Sequence, residues 1–202
     1  MIAIVDYGLG NVKAFANICA ELNLAHVIAR QPADLGQATH AILPGVGAFD
    51  QAMQRLQRSG LREALDEMVV GRKLPALGVC VGMQILMRSS EEGEERGLGW
   101  LPGDVVRFRV PEGEQLHVPH IGWNTIAPAR EHPLFAGLDE QAGFYFLHSY
   151  LVRASEQDTL ATTEYGGAFA SAAGRDNILG VQFHPEKSHG NGIRLLRNFA
   201  EL

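Results

Sequence analysis

Two short stretches hold residues of the right type and spacing for covalent chemistry. In Pro75-Ala76-Leu77-Gly78-Val79-Cys80-Val81-Gly82-Met83-Gln84, an apolar strand-type run meets Gly-x-Cys-x-Gly, and the pattern then turns helical through Val81, Ile85 and Leu86. This is a nucleophile elbow with sulfur in place of hydroxyl. Glycines flank the nucleophile because so sharp a strand-to-helix turn leaves no room for Cβ atoms on either side. Such a turn predicts a thiol pushed out of the sheet and over a helix N-terminus. Free N–H groups and the positive end of the macrodipole would favour a thiolate there. The plainer alternative is a small buried cysteine beside two packing glycines.

The second stretch, Gly180-Val181-Gln182-Phe183-His184-Pro185-Glu186-Lys187-Ser188, is another strand-like run, and it ends in His-x-Glu. A cysteine nucleophile needs a base within hydrogen-bond reach, and the base needs a group that holds its tautomer and orientation. Residues two apart in extended chain point the same way, so His184 and Glu186 are expected side by side. Proline at 185 suits the end of a strand, where the sites of α/β proteins are built.

The elements that must position these residues alternate over the first half of the chain. Ile2–Asp6, Ala25–Ala29, His40–Leu43 and Ala76–Val79 read as strands. Asn11–Leu24, the stretch from Phe49 to Val70 and the run from Val81 read as helical. This order predicts an α/β fold with an open, mostly parallel sheet flanked by helices. In the second half, Val105–Phe108, Asn124–Ala127, Gly143–Leu147, Tyr150–Arg153, Thr159–Thr163, Ala168–Ala173 and Ile178–Phe183 read as added antiparallel strands, with a closing helix over Gly192–Leu202. No repeat or long linker interrupts the chain, and residues 1–202 are expected to form one domain.

Composition excludes several classes. The net charge is −6 and no Lys/Arg block occurs, which argues against a nucleic-acid partner. The longest nearly apolar run, Pro75 to Met87, is too short to span a bilayer, and Met1–Asp6 lacks a basic leader region, so a cytoplasmic chain without membrane contact is expected. There are two cysteines and no Cys/His ligand spacing, so neither a disulfide framework nor a metal site is expected. Cys19 falls in the helical stripe Val12, Phe15, Ala16, Cys19, Leu22 and reads as core. The carboxylates Glu91, Glu92, Glu94 and Glu95 read as a solvated loop rather than a metal site.

Two glycine-rich turns remain. Asp6-Tyr7-Gly8-Leu9-Gly10-Asn11 begins like a dinucleotide fingerprint, but Lys13 stands where its third glycine belongs and the second strand ends at Arg30 instead of an acidic residue. A tight β–α turn explains it without a cofactor. Pro44-Gly45-Val46-Gly47 follows a strand and has a backbone able to approach a ligand and reorient a peptide, as an oxyanion donor must.

With Pro-Gly-Val-Gly, Gly-Val-Cys-Val-Gly-Met-Gln and His-Pro-Glu-Lys-Ser in that order, the chain resembles class I, triad-type glutamine amidotransferases. The resemblance runs from the first strand to the last helix and implies a flavodoxin-like sheet. Val118-Pro119-His120-Ile121-Gly122-Trp123-Asn124 and Tyr145-Phe146-Leu147-His148-Ser149-Tyr150 make it similar, within that group, to glutaminase subunits of imidazole glycerol phosphate synthases. Small departures are Val81, where a leucine is expected, and His189 after Lys187-Ser188.

The resemblance implies that glutamine is hydrolysed to glutamate and ammonia without a cofactor. The ammonia would pass to a (βα)₈-barrel cyclase subunit in a heterodimer, for the synthesis of imidazole glycerol phosphate and aminoimidazole carboxamide ribotide. Cys80 would be the nucleophile, His184 the base and acid, and Glu186 its orienting group. The backbone N–H groups of Val46 and Val81 would hold the oxyanion. Gly47, Gln84, Ser149 and Tyr150 would contact glutamine, and Pro119, Ile121, Gly122 and Trp123 would face the cyclase. A glutaminase serving another synthase is the nearest alternative. A redox or chaperone-like protein with an elbow cysteine is a more distant one, because such proteins tend to carry histidine next to the cysteine, where this chain has Val81.

Overall fold

Strand β1 (Ile2–Val5) is buried along its whole length, and it pairs in parallel with β2 (His26–Ala29) on one side and β3 (His40–Gly45) on the other. A strand covered on both faces has no reason to alternate polar and apolar residues, which is why Ile-Ala-Ile-Val is uniformly apolar. Between β1 and β2, helix α1 (Val12–Glu21) buries Val12, Phe15 and Cys19 at helical spacing. Cys19 is therefore core, and burial pushes its thiol up to about 11. The computed structural model describes residues 1–202 apart from Pro111, Glu112 and Glu114.

The helical stretch after β3 is broken. Helix α2 (Phe49–Arg58) buries Phe49, Ala52, Met53 and Leu56, and Gly60, at φ +71°, turns the chain into α3 (Leu61–Asp66). A π-helical turn, Glu67–Gly71, leads to β4 (Ala76–Cys80). Helix α4 (Val81–Gln84) is only one turn long. The second half adds β5 (Gly103–Arg107), β6 (His120–Asn124), β7 (Ala127–Pro128), β8 (Phe144–His148), β9 (Tyr150–Ala154), β10 (Thr159–Glu164), β11 (Ala168–Arg175), β12 (Ile178–Val181) and the closing helix α5 (His189–Ala200).

The main sheet runs β2-β1-β3-β4-β12-β11-β10-β7, with β9 also on β11 and β5 on β9; β6 and β8 form a separate antiparallel ribbon. One late strand departs from the expected pattern. β12 is not an antiparallel addition but lies parallel to β4, Val181 opposite Val79, while pairing antiparallel with β11. Its residues are as apolar as those of a central parallel strand, and local pattern alone does not reveal direction. The run read as one strand, Asn124–Ala127, is split between the end of β6 and the start of β7.

The register places the C-terminal ends of β3, β4 and β12 side by side, with Gly45 opposite Cys80. Ligands of open α/β sheets bind outside those ends. Phe15, Phe49, Phe144, Phe146, Phe183 and Phe199 are fully buried around this framework, each contributing about 1.5–3 kcal/mol of transfer free energy. Among the described residues no helix is long and apolar enough to cross a membrane.

Candidate active site

Cys80 is the last residue of β4 and adopts φ +55°, ψ −114°. A non-glycine residue in such a conformation costs on the order of 1–3 kcal/mol and persists only where its surroundings impose it. They do so here by close backbone contact: a Cβ on Gly82 would lie 1.8 Å from the Leu43 carbonyl oxygen, and one on Gly45 would lie 2.3 Å from the Gly82 nitrogen. The elbow and the loop after β3 therefore touch backbone to backbone, which sets Val46 beside Val81. Because α4 is a single turn, few peptide dipoles add up behind Cys80. Of the free N–H groups and macrodipole expected from sequence, it is the free N–H groups of this single turn that face Cys80.

His184 and Glu186 lie next to the elbow. The His184 N–H donates to the Tyr145 carbonyl at 2.8 Å, the Tyr145 N–H donates to Ser188 Oγ at 3.0 Å, and that hydroxyl donates to the His184 carbonyl, so the segment after β12 is pinned to β8. His184 is extended, whereas Glu186 sits in a 3₁₀ turn, Pro185–Lys187. The two side chains thus meet through a proline-started turn and not through strand alternation. His184 Nδ1 lies 2.9 Å from Glu186 Oε1, and both side chains are 2% exposed. A carboxylate facing Nδ1 places the ring hydrogen there and leaves Nε2 for Cys80. Burial works against the imidazolium, but hydrogen bonds and charge from Cys80 and Glu186 outweigh it, and His184 is raised to about 9.

Cys80 faces a cavity of about 260 Å³ lined by Val46, Gly47, Cys80, Val81, Gln84, Glu92, Pro119, Leu147, His148, Ser149, Tyr150 and His184. The site residues expected from sequence are therefore brought together, with Glu186 behind His184. Ile121, Gly122 and Trp123 stand outside this cavity, on β6. Ile121 and Trp123 are 57% and 52% exposed, and Trp123 stacks on His189 with ring centroids 5.2 Å apart. The segment that carries Trp123 is a strand.

Several contributors escaped the sequence reading. Gln182 is fully buried and its amide nitrogen lies 3.7 Å from Cys80 Sγ, while its oxygen accepts from Gln84 Nε2 at 3.1 Å. Strand alternation was the only signal for it. Glu92 belongs to the run read as solvated, yet its Oε2 accepts the Phe49 N–H at 2.8 Å, and it is the one carboxylate lining the cavity. Asp50 in turn accepts the N–H groups of Glu94 and Glu95, each at 3.0 Å. The loop is bound to the start of α2, a long-range contact that local composition does not encode. In the fingerprint-like turn, Asp6 pairs with Arg30 at 2.9 Å and accepts the Gly8 N–H at 3.2 Å, so its polar groups serve the turn itself.

The class-I glutamine amidotransferase family model matches residues 3–202. Over the full length of both chains, the protein is 50% identical to the imidazole glycerol phosphate synthase subunit HisH of Leptospira interrogans and 52% identical to that of Bdellovibrio bacteriovorus. Among solved structures, a glutamine amidotransferase is similar with a TM-score of 0.73 at 20% identity, covering 99% of this chain and 97% of that one. PurLQS from Thermotoga maritima is similar with a TM-score of 0.68 at 16% identity, covering 99% and 97%. The chain therefore belongs to the class-I glutamine amidotransferase family, in the company of these HisH subunits.

Proposed function

We propose that residues 1–202 act as one glutaminase domain, in the cytoplasm, that hydrolyses glutamine through Cys80, His184 and Glu186 and delivers the ammonia to a (βα)₈-barrel cyclase in a heterodimer. That cyclase would make imidazole glycerol phosphate and aminoimidazole carboxamide ribotide in histidine biosynthesis. The observation that carries the reading is the strained Cys80 at the cavity floor, facing a buried imidazole already paired with a carboxylate. The names of the full-length relatives favour this synthase over other ammonia-using ones.

With the proton of the Cys80–His184 pair held on His184 Nε2, Cys80 sulfur attacks the carbonyl carbon of the glutamine side-chain amide. Negative charge gathers on the former carbonyl oxygen, where the N–H groups of Val46 and Val81 serve as donors. His184 returns its proton to the amide nitrogen, the C–N bond breaks, and ammonia leaves a thioester on Cys80. Water then attacks the thioester with His184 as base, and glutamate and the free thiol are released. Glu186 keeps Nδ1 protonated and offsets the imidazolium charge throughout. At the other end of the substrate, Glu92 by charge and Gln84 through its oxygen meet the α-ammonium, while Gly47 and the backbone of Ser149 and Tyr150 contact the remainder.

The test is glutamate release from glutamine, measured for the chain with and without its cyclase. Partner-stimulated release coupled to product formation supports the reading. Stimulation by a different synthase and not by the cyclase would assign the glutaminase elsewhere, and absence of release with every partner would overturn it.

A further inference from the structure

The buried pair His120 and His148 lies outside this chemistry, on β6 and β8, yet it leads to the cavity wall. Its proton positions follow from what each atom faces. His148 Nδ1 lies 2.9 Å from the Tyr150 carbonyl oxygen, which can only accept, so Nδ1 bears the hydrogen. His148 Nε2 is then the acceptor, and His120 Nδ1, 3.0 Å away, donates to it. His120 Nε2 is left to accept from the Asn124 amide at 3.4 Å, a long and weak contact, and the same amide donates to the Glu164 carbonyl at 3.0 Å. The bonds run one way, from Asn124 through both rings to Tyr150.

Both rings must be neutral for this arrangement, because a proton on His148 Nε2 would point at the His120 N–H and one on His120 Nε2 would point at the Asn124 amide hydrogens. Burial agrees with the geometry and pulls each ring down to about 4. Stacking clamps the His120 ring between Tyr165 at 3.9 Å and Phe146 at 4.8 Å. At the far end, the Tyr150 oxygen also accepts from Gln84 Nε2 at 3.2 Å, and the other Gln84 hydrogen goes to Gln182. Both Gln84 amide hydrogens are thereby committed to the protein. What this side chain has left for a ligand is its oxygen.

We propose that His120 and His148 are positioning residues: they hold the Tyr150 carbonyl, and through it the Gln84 amide, so that Gln84 presents its oxygen to glutamine, and they tie that orientation to the strand that carries Trp123. The proposal rests on the glutaminase reading and deepens it. A polar pair in this place could have been apolar at less cost, since buried imidazoles are tolerated only when every bond is made. Its direction of donation makes one carbonyl, on the wall of the site, the shared acceptor of two side chains.

Two measurements test it. Nitrogen-15 shifts of the histidine-labelled full chain at neutral pH should show both rings neutral with hydrogen on Nδ1, and either ring protonated, or with hydrogen on Nε2, would overturn the proposal without any reference to activity. The second measurement is steady-state kinetics of the complex. His148→Gln places an amide near Nε2 and loses the donor to Tyr150, so glutamine KM should rise about tenfold with kcat within about twofold. His148→Asn places an amide nitrogen near Nδ1 and should restore most of the affinity. His120→Phe keeps the stacked ring without the donor and should raise KM several-fold. Ammonia-dependent turnover should be unchanged in each, which shows a folded and docked subunit. An unchanged KM in His148→Gln and His120→Phe, or equal damage from the Gln and Asn replacements, would refute the positioning role while leaving the glutaminase intact. A wild-type complex that hydrolyses no glutamine would instead refute the underlying reading.

Discussion

The Tyr7 hydroxyl donates to the Pro44 carbonyl at 2.7 Å, joining the loop after β1 to the end of β3 across 37 residues of sequence. Tyr7 is buried, and burial holds its hydroxyl protonated well above the usual tyrosine range, so it stays a donor at any working pH. Gly10 packs on the same proline, where a Cβ would lie 2.6 Å from Pro44 Cβ. The turn that resembles a dinucleotide fingerprint is thus a brace under the proposed oxyanion loop. Tyr7→Phe should lower partner-stimulated glutaminase kcat about three- to tenfold, the worth of one buried hydrogen bond, and leave ammonia-dependent synthesis unchanged. Equal activity of Tyr7→Phe and wild type would remove the brace from the account.

Cys80→Ala should abolish glutamine hydrolysis and the thioester adduct seen by intact mass, while the complex still makes product from ammonium salt. The strain at Cys80 adds a second expectation. Cys80→Gly, equally inactive, should be more stable than Cys80→Ala by about 1 kcal/mol, because glycine adopts a positive φ without a Cβ clash. Denaturant midpoints of the two variants decide this.

His184→Ala should be nearly as inactive as Cys80→Ala, because members of such a unit are not additive. Glu186→Gln should retain more activity: the shape is kept and only the charge beside Nδ1 is lost. Single-turnover glutamate release would rank the three, and a Glu186→Gln as inactive as Cys80→Ala would give Glu186 more than an orienting role.

Trp123 is half-exposed on β6, stacked on His189 and edge-on to Tyr145. As the proposed cyclase anchor, its replacement by alanine should weaken association at least about tenfold and lower partner-stimulated glutaminase activity, with ammonia-dependent turnover kept at saturating partner. Titration calorimetry against the cyclase checks the first effect. A wild-type chain as active alone as in the complex would rule out stimulation of the glutaminase by its partner.

Stability should be highest near pH 6.5 and fall on both sides. His184 holds its proton up to about 9 when folded, so its contribution is complete below the ordinary histidine value near 6.5 and is lost as pH rises through about 9. His120 and His148 are held near 4, so between about 6.5 and 4 the unfolded chain takes up protons that the folded chain refuses, and stability drops as pH falls through that window. Urea midpoints across pH should show a flatter upper limb in His184→Ala and a shallower acid limb in His120→Phe. Unchanged limbs would contradict these assignments.

Much of this protein was legible in the chain itself. The all-apolar runs Ile2–Val5 and Ala76–Val79 specify buried parallel strands, the stripe Val12, Phe15, Cys19 specifies a helix face, and Gly78 and Gly82 around Cys80 specify the elbow. These are period and sterics, which a chain expresses locally. What required the tertiary structure was everything decided between distant segments. β12 is parallel to β4 because of where it inserts, and that insertion brings His184 to Cys80. Glu92 turned from solvent to the cavity because Phe49 offers it an N–H, 43 residues away in sequence. Gln182 and the His120–His148 pair acquire meaning only from the atoms they face. Direction of pairing and partnership of buried polar groups depend on long-range contact, and no local pattern contains it.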